Sequence, residues 1–241
     1  MNPSLKKAAL ITGGAKRIGA GIAVSLAESG YDIAIQYNTS EKEAIATQKA
    51  VRSAGRSCSI FKGDLKDVHF ITELVKAAFS EYPYLNVLVN SASVFKRSEI
   101  RETTPSDFDE MTAVNYRAPF FLSKEFARYC RVGNIINFMD TKTSKYQNTY
   151  TSYIISRMAL LELTRFAALE FAPSIRSNGI CPGLILPGKS EDEEYVRRLE
   201  SKIPLGKKGS TDNIISTVKF LISNDFITGE IIYVDGGESL K

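Results

Sequence analysis

The sequence is poor in the residues that build metal sites and disulfide frameworks. It has one histidine, His69, in 241 residues, which excludes sites built from several histidine ligands. The three cysteines, Cys58, Cys130 and Cys181, are odd in number and far apart, so neither a zinc site nor a disulfide scaffold is expected. Reduced thiols are typical of cytoplasmic proteins, and we expect that location and no metal.

Long apolar and long basic runs are also missing. No apolar run approaches the ~18 residues of a membrane span, and the first residues lack a signal-peptide cleavage site, so neither feature is expected. The net charge is +4, but no Lys/Arg run is longer than two residues. A nucleic-acid binder usually carries a denser basic stripe. The positive charge suits an anionic small molecule equally well, so we expect a small-molecule partner, no nucleic acid and no membrane.

What the sequence does contain is a regular alternation of short β-type segments with longer segments of helical periodicity. Strands are predicted at Ala8–Thr12, Asp32–Tyr37, Ser57–Lys62, Leu85–Val89, Asn134–Phe138, a segment ending at Cys181-Pro182-Gly183, and Glu230–Asp235. Helices are predicted from 18 to 29, 41 to 55, 67 to 81, 105 to 130, 150 to 171, 191 to 200 and 212 to 223. Residues 1–241 therefore form a single-domain α/β fold, a doubly wound parallel sheet of seven strands with helices on both faces.

Two helix starts carry capping signals. Ser40 and Glu43 form the S-x-x-E pattern of a capping box, and Thr104 precedes a proline at the first helical position.

In a doubly wound sheet, ligands bind at the carboxyl ends of the strands, so the residues that follow each strand are the candidate site.

The first strand is followed by a glycine-rich turn, Thr12 to Gly19. Glycines let the backbone approach a pyrophosphate closely, and the next helix offers free N–H groups at its start. The spacing differs from G-x-G-x-x-G, and a plain strand-to-helix turn is the alternative. The turn's position in the first βα unit favours a nucleotide site.

The second strand is followed by Asn38, Thr39 and Ser40, without the carboxylate that an NAD enzyme places there for the ribose 2′-hydroxyl. These small polar residues leave room for a 2′-phosphate, and Lys16 and Arg17 add positive charge nearby. The sequence therefore favours NADP(H). The alternative is that these residues only shape a loop and cap a helix.

Two further strand ends carry reactive groups. Asp140 follows the fifth strand, and Tyr153 and Arg157 lie four residues apart on the next predicted helix. That spacing places a phenol and a cation on one helix face, so we expect Arg157 to lower the pKa of Tyr153. Taken alone, such a pair is more often a surface pair.

Together these motifs resemble the short-chain dehydrogenase/reductase family over essentially the full length. The matching segments are Thr12 to Gly19 (with Arg17 in place of a glycine), Asp64, Asn90 to Ser93, Asn115, Tyr153 to Arg157, Pro182-Gly183 and Asp235 to Gly237. Within the family the chain is similar to pteridine reductases and dihydromonapterin reductases. The features that carry this closer resemblance are Lys16-Arg17, Asp140, Ser91-Ala92-Ser93, Phe95 and Pro182 to Leu186.

The resemblance implies hydride transfer from NADPH to a C=N bond of a dihydropterin, with Tyr153 as the general acid. It implies catalytic roles for Tyr153, Arg157, Asp140 and Asn115. The cofactor would contact Gly13, Arg17, Ile18, Asn38, Thr39, Ser40, Asp64, Leu65, Asn90, Ala92, Tyr153, Arg157, Pro182, Gly183 and Leu184. The substrate would contact Arg17, Ser93, Phe95, Asp140 and Tyr153.

One departure opens alternatives. The family's pattern has Lys where this chain has Arg157, and an arginine keeps the charge but is effectively never deprotonated. The chain is therefore a pterin reductase, a ketone reductase acting on 3-oxoacyl thioesters, or an NADPH-binding protein with impaired catalysis. The resemblance also implies a homotetramer that pairs the helices 105–130 and 150–171. Residues 184–209 are predicted to form a substrate lid, or only a short helix with an acidic start.

Overall fold

The sheet begins with strands that are buried along their whole length. The computed structural model describes residues 6–186 and 192–241. Strands β1 (Ala8–Thr12) and β2 (Asp32–Tyr37) have no exposed residue, which is typical of parallel strands covered on both faces. The remaining strands are β3 (Cys58–Lys62), β4 (Leu85–Asn90), β5 (Gly133–Phe138), β6 (Ile175–Pro182) and β7 (Ile231–Val234).

All seven strands pair in parallel, in the order β3-β2-β1-β4-β5-β6-β7. The strand order reverses between β1 and β4, and a crevice opens there at the carboxyl ends of the strands. The predicted doubly wound, single-domain α/β fold is therefore confirmed.

Helices cover both faces of the sheet. They are α1 (Arg17–Glu28), α2 (Glu41–Ser53), α3 (Val68–Glu81), α4 (Pro105–Thr112), α5 (Ala118–Tyr129), α6 (Thr151–Glu170), α7 (Glu193–Glu200) and α8 (Thr211–Ser223). One apolar core packs α1 and α8 on the sheet, and a second packs α3 and α5 on the opposite face. No helix in 6–186 or 192–241 is long and apolar enough to cross a membrane.

The predicted helix 105–130 is interrupted by a π-helical turn, Ala113–Arg117, between α4 and α5. Pro119 lies just beyond this turn and has no N–H, so it cannot donate the usual i→i−4 bond to the carbonyl of Asn115. The wider turn accommodates the missing donor, and Asn115 lies within this irregular part of the helix.

The capping predictions have different outcomes. Thr104 caps α4 as predicted, because its hydroxyl accepts a bond from the N–H of Asp107. The capping box predicted at Ser40 is wrong: the Ser40 side chain makes no cap bond, although α2 begins directly after it. Its backbone (φ −86°, ψ 59°) is not the extended conformation usual at an N-cap.

The predicted lid, residues 184–209, is only partly described, since residues 187–191 lie outside the described residues. Its described part contains α7, which has no buried residue. The carboxylate of Asp192 accepts a bond from the N–H of Tyr195 at 2.6 Å. These residues fit the alternative of an acidic helix start, and the lid stays a prediction.

Candidate active site

The first turn of the sheet requires glycine at two positions. Gly13 has φ +62°, and a Cβ there would lie 2.9 Å from the Cα of Ala92. A Cβ on Gly19 would lie 2.5 Å from the carbonyl oxygen of Gly13. The turn is thus folded tightly against the end of β4, and the N-terminus of α1 opens onto the crevice. This geometry leaves backbone exposed where a pyrophosphate would need it.

Arg17 has a left-handed backbone, φ +54°, at the place where the family's pattern has a glycine. An arginine in this conformation is strained, and strained backbone of this kind is frequent at functional sites. Its guanidinium donates to the carbonyl oxygen of Leu186 at 2.6 Å, so the side chain reaches from the first turn to the segment that follows β6. Arg17 therefore lies across the crevice, beside its predicted cofactor-binding neighbour Ile18.

The end of β2 carries no carboxylate that faces a ribose. Asn38 and Thr39 are exposed and Ser40 is half-buried. The first carboxylate in this segment, that of Glu41, forms an ion pair with Lys62 at 3.1 Å. The site therefore keeps the polar, uncharged character that the sequence predicts for a 2′-phosphate.

The adjoining turn after β3 carries the predicted adenine-side residues. Asp64 accepts a bond from the N–H of Lys66 at 2.9 Å, and Leu65 is buried beneath it. Gln36 ties this turn to the first one, because its amide accepts from the N–H of Gly13 and donates to the carbonyl of Gly63. Gln36 of β2 thus joins the turns after β1 and β3 into one hydrogen-bonded unit.

Asn90 and Ala92 lie at the end of β4, in contact with the first turn. The N–H groups of Ser91 and Ala92 both point to the hydroxyl of Thr12 at 3.2 Å. The amide of Asn90 donates to Asn137 at 2.8 Å and is 2% exposed. The Asn90 side chain therefore holds β4 to β5, and only its backbone lies at the crevice.

Asp140 and Tyr153 are joined by a hydrogen bond. The Tyr153 hydroxyl donates to Asp140 Oδ2 at 2.9 Å. The expectation of a lowered Tyr153 pKa is wrong. Burial raises the pKa of Tyr153 well above its ordinary value, and Asp140 raises it further, while Arg157 acts in the opposite direction without overcoming the burial. The ring is 4% exposed, which the helical spacing does not reveal.

Arg157 is 2% exposed, and among the described residues no carboxylate lies within ion-pair distance of it. Its Nη1 donates to the carbonyl of Phe138 at 2.9 Å, and its guanidinium carbon lies 5.5 Å from the centre of the Tyr153 ring. Its Nε is buried without a partner in the same part of the chain. The pair is therefore a buried one, and the surface-pair alternative is excluded.

Asn115 is fully buried and holds the loop that carries Ser93 and Phe95. Its Oδ1 accepts from the N–H of Val94 at 3.0 Å, and its Nδ2 donates to the Val94 carbonyl at 2.9 Å. Nδ2 also lies 3.2 Å from the hydroxyl of Ser156, which lies between Tyr153 and Arg157 on α6. The side chain thus joins the loop to α6, and only its backbone carbonyl is left to hold a water.

Phe95 presents a half-exposed aromatic ring beside Tyr153. The ring is 54% exposed, and its centre lies 4.7 Å from that of Tyr153 in an edge-to-face arrangement. Tyr150, which the sequence reasoning missed, stacks on Phe95 at 4.6 Å with 22° between the planes. Ser93 is exposed on the same loop. The aromatic residue directly before α6 is the signal that could have identified Tyr150.

The last predicted segment, Pro182 to Leu184, begins at the final residue of β6. A Cβ on Gly183 would lie 2.7 Å from Asp235, so the two chain segments are in close contact. Asp235 accepts from the hydroxyl of Thr141 at 2.7 Å. Burial acts to raise the pKa of Asp235, but the hydrogen bonds that its carboxylate accepts lower the pKa by a larger amount. The net shift of the pKa is therefore downward. Asp235 thus anchors the turn that follows Asp140.

Metal ligation finds no support in the part of the chain that the structure describes. No group of three or more His, Cys, Asp or Glu side chains is placed to hold an ion there. The titratable side chains that the structure brings together at the carboxyl ends of the strands are Asp140, Tyr153 and Arg157.

Comparisons with known proteins agree with this geometry. A family model described as enoyl-(acyl carrier protein) reductase matches residues 13–239. An uncharacterised oxidoreductase of Thermotoga maritima is 32% identical, and the match covers 97% of each chain. The 3-oxoacyl-[acyl-carrier-protein] reductase of Staphylococcus aureus is 28% identical over 97% of this chain and 98% of its own.

Among solved structures, the FolM alternative dihydrofolate reductase 1 of Brucella canis, complexed with NADP, superimposes with a TM-score of 0.92. It is 31% identical, and the match covers 98% of this chain and 94% of that one. Both the full-length relatives and the family model point to the same class of oxidoreductase. The chain belongs to the short-chain dehydrogenase/reductase family.

Proposed function

We propose that this oxidoreductase uses NADPH to reduce a dihydropterin or a closely related ring, such as dihydrofolate. The observation that carries the proposal is the Tyr153–Asp140 hydrogen bond beside the half-exposed ring of Phe95. A planar heterocycle can stack on such a ring, next to a proton donor. The similarity to a FolM alternative dihydrofolate reductase complexed with NADP supports the same reading.

Three features of the chain support a fit of NADP(H) in the crevice. The tight turn at Gly13 leaves backbone N–H groups at the start of α1 for the phosphates. The end of β2 offers Asn38, Thr39 and Ser40 to a 2′-phosphate, while Glu41 is held by Lys62. Arg157, buried and without an anionic partner among the described residues, is placed to donate to ribose hydroxyls. When bound, NADPH supplies the hydride.

The proton comes from the protein. Tyr153 Oη donates it to the ring nitrogen while the neighbouring carbon accepts the hydride, so the C=N bond becomes CH–NH. Tyr153 carries its proton at neutral pH, since a phenol ordinarily has a pKa of about 10 and burial raises the pKa of Tyr153 further. Arg157 then stabilises the phenolate, and Asp140 Oδ2, 2.9 Å from the phenol oxygen, lies on the path by which solvent returns a proton.

The Phe95 ring provides the test of substrate class. Phe95→Ala removes the stacking face, and Phe108→Ala removes a comparably exposed phenylalanine on α4. We expect Phe95→Ala to raise KM for a dihydropterin about tenfold or more, as the loss of one base-stacking aromatic does. Phe108→Ala should leave KM unchanged. Equal KM values for both variants would contradict a pterin stacked on Phe95.

Two other functions remain open to experiment. A 3-oxoacyl thioester reductase is favoured by the Staphylococcus aureus relative, and turnover of an acetoacetyl thioester with no turnover of dihydropterins would establish it. An NADPH-binding protein without catalysis is suggested by Arg157. In that case NADPH would bind without turnover, and Arg157→Lys would restore activity. We propose that Arg157 serves in catalysis, so Arg157→Lys should raise kcat no more than severalfold.

Exposed apolar residues on α5 and α6 support a homotetramer. They are Phe120, Ile155, Phe166 and Leu169, each between 42% and 79% exposed. Because these side chains are exposed and do not face the sheet, they are available to pack against another copy of the chain. Sedimentation should give a mass near four chains, and a monomer would refute this proposal.

A further inference from the structure

Besides Arg157, which contacts Tyr153, the site holds a second cation, Lys142, which contacts Asp140 and belongs to none of the motifs that identify the family. The Lys142 ammonium lies 3.9 Å from Asp140 Oδ1, and the backbone N–H of Lys142 donates to the same oxygen at 2.8 Å. Oδ2 of the same carboxylate accepts the Tyr153 hydroxyl. The carboxylate is thus held between Lys142 on one side and Tyr153 on the other.

The charges of the site explain why a second cation matters. Once Tyr153 has given up its proton, phenolate and carboxylate lie side by side and repel each other. Arg157 alone balances one of these two anions. With Lys142 the local sum is zero, and without it one negative charge is left beside a buried phenol.

We propose that Lys142 is a positioning residue of the active site, which offsets the charge of the Asp140 carboxylate and holds it aimed at Tyr153, and so leaves Arg157 to stabilise the phenolate. The side chains of Lys142 and Asp140 are 27% and 20% exposed, so the pair lies at the solvent boundary, where the ammonium also exchanges protons with water. The reaction to which this applies is the proposed reduction, but the ion pair itself does not depend on it.

The other titratable groups around Asp140 are fixed by their own contacts. They are Tyr153 and Arg157 on α6, Cys181 on β6, Tyr233 on β7, and Asp235, which binds the hydroxyl of Thr141. Burial raises the pKa of the Cys181 thiol to about 11, so it carries no charge at neutral pH. Of the two cations of the site, Lys142 and Arg157, Lys142 is therefore the one that can be replaced without breaking the contact between Arg157 and Tyr153.

The deciding experiment follows the Asp140 carboxyl directly by infrared difference spectroscopy, with Asp140→Asn as the reference. As the pH is lowered, the protonated-carboxyl band should appear about one pH unit higher in Lys142→Met than in the native chain, because an adjacent cation favours the carboxylate. Lys142→Arg should behave like the native chain. Lys145→Met is the matched control, since Lys145 lies on the same turn and forms no salt bridge in the described part of the chain.

A kinetic measurement checks the consequence for catalysis. Lys142→Met should lower kcat for the pterin reaction about tenfold, because it leaves one negative charge unbalanced beside the phenolate. The factor is the free-energy equivalent of a shift of about one pH unit, and the affinity for NADPH should stay unchanged. In an Asp140→Asn background the same substitution should cost nothing further, because the charge that Lys142 balances is gone.

The outcomes separate this proposal from the proposed function. Coincident carboxyl titrations in the native chain and Lys142→Met would overturn the role of Lys142, whatever the substrate. A shifted titration in a chain that turns over no dihydropterin would leave the ion pair standing and refute the pterin reaction instead.

Discussion

Tyr153→Phe tests the assignment of the general acid. The substitution removes one hydroxyl, which donates to Asp140 at 2.9 Å, and keeps the ring packed edge-to-face on Phe95. A general acid contributes about 10²–10⁴-fold to rate, so kcat should fall by that factor, about 3–5 kcal/mol on the barrier. Stability should change by no more than about 1 kcal/mol, because Asp140 is partly exposed and water can replace the lost donor.

Tyr150→Phe is the matched control. Tyr150 stacks on the same Phe95 ring, and within the described residues its hydroxyl makes no hydrogen bond. The assay is steady-state NADPH oxidation with a dihydropterin, together with thermal unfolding of both variants. A Tyr153→Phe enzyme that keeps its kcat within a fewfold, or that loses no more than Tyr150→Phe, would refute the role of Tyr153.

Further predictions concern the first turn and the buried thiols. Gly13→Ala should weaken NADPH binding at least tenfold, since φ is +62° and a Cβ would lie 2.9 Å from the Ala92 backbone. Gly55→Ala, at φ +77° in open space, should change stability alone, and fluorescence titration with NADPH compares the two. The chain should lose stability as the pH rises above about 9. Burial raises the pKa of Cys58 to about 12 and those of Cys130 and Cys181 to about 11, so the unfolded thiols release protons first. Each thiol then lowers the free energy of unfolding by about 1.4 kcal/mol per pH unit between pH 9 and its folded pKa. Urea unfolding from pH 7 to 11 measures this slope, and a flat profile would contradict it.

The sheet was predictable because its strands are short, mostly apolar segments that alternate with longer segments of helical periodicity. β1 and β2 have the predicted bounds, and β4 extends one residue further, to Asn90. The π-helical turn at Ala113–Arg117 was not predictable, because apolar periodicity does not register the single N–H that Pro119 lacks. Chain position alone placed the reactive residues at the carboxyl ends of the strands.

The electrostatics of the site could not be read from spacing. The pair Tyr153 and Arg157 lies on one helix face as predicted, but the pKa of Tyr153 moves upward because three-dimensional packing buries the ring. Ser40 has the residue type of an N-cap and the wrong backbone angles for one. Lys142 belongs to no motif, and only the fold of the turn after β5 brings it to Asp140.

The most direct test of the account is turnover by the purified native chain, followed as loss of NADPH absorbance. Dihydromonapterin, dihydrobiopterin, dihydrofolate and an acetoacetyl thioester are offered in parallel, each with NADPH and with NADH. The account predicts turnover of at least one dihydropterin or dihydrofolate, faster with NADPH than with NADH, and none of the thioester. Turnover of the thioester alone, or no turnover with tight NADPH binding, would contradict it.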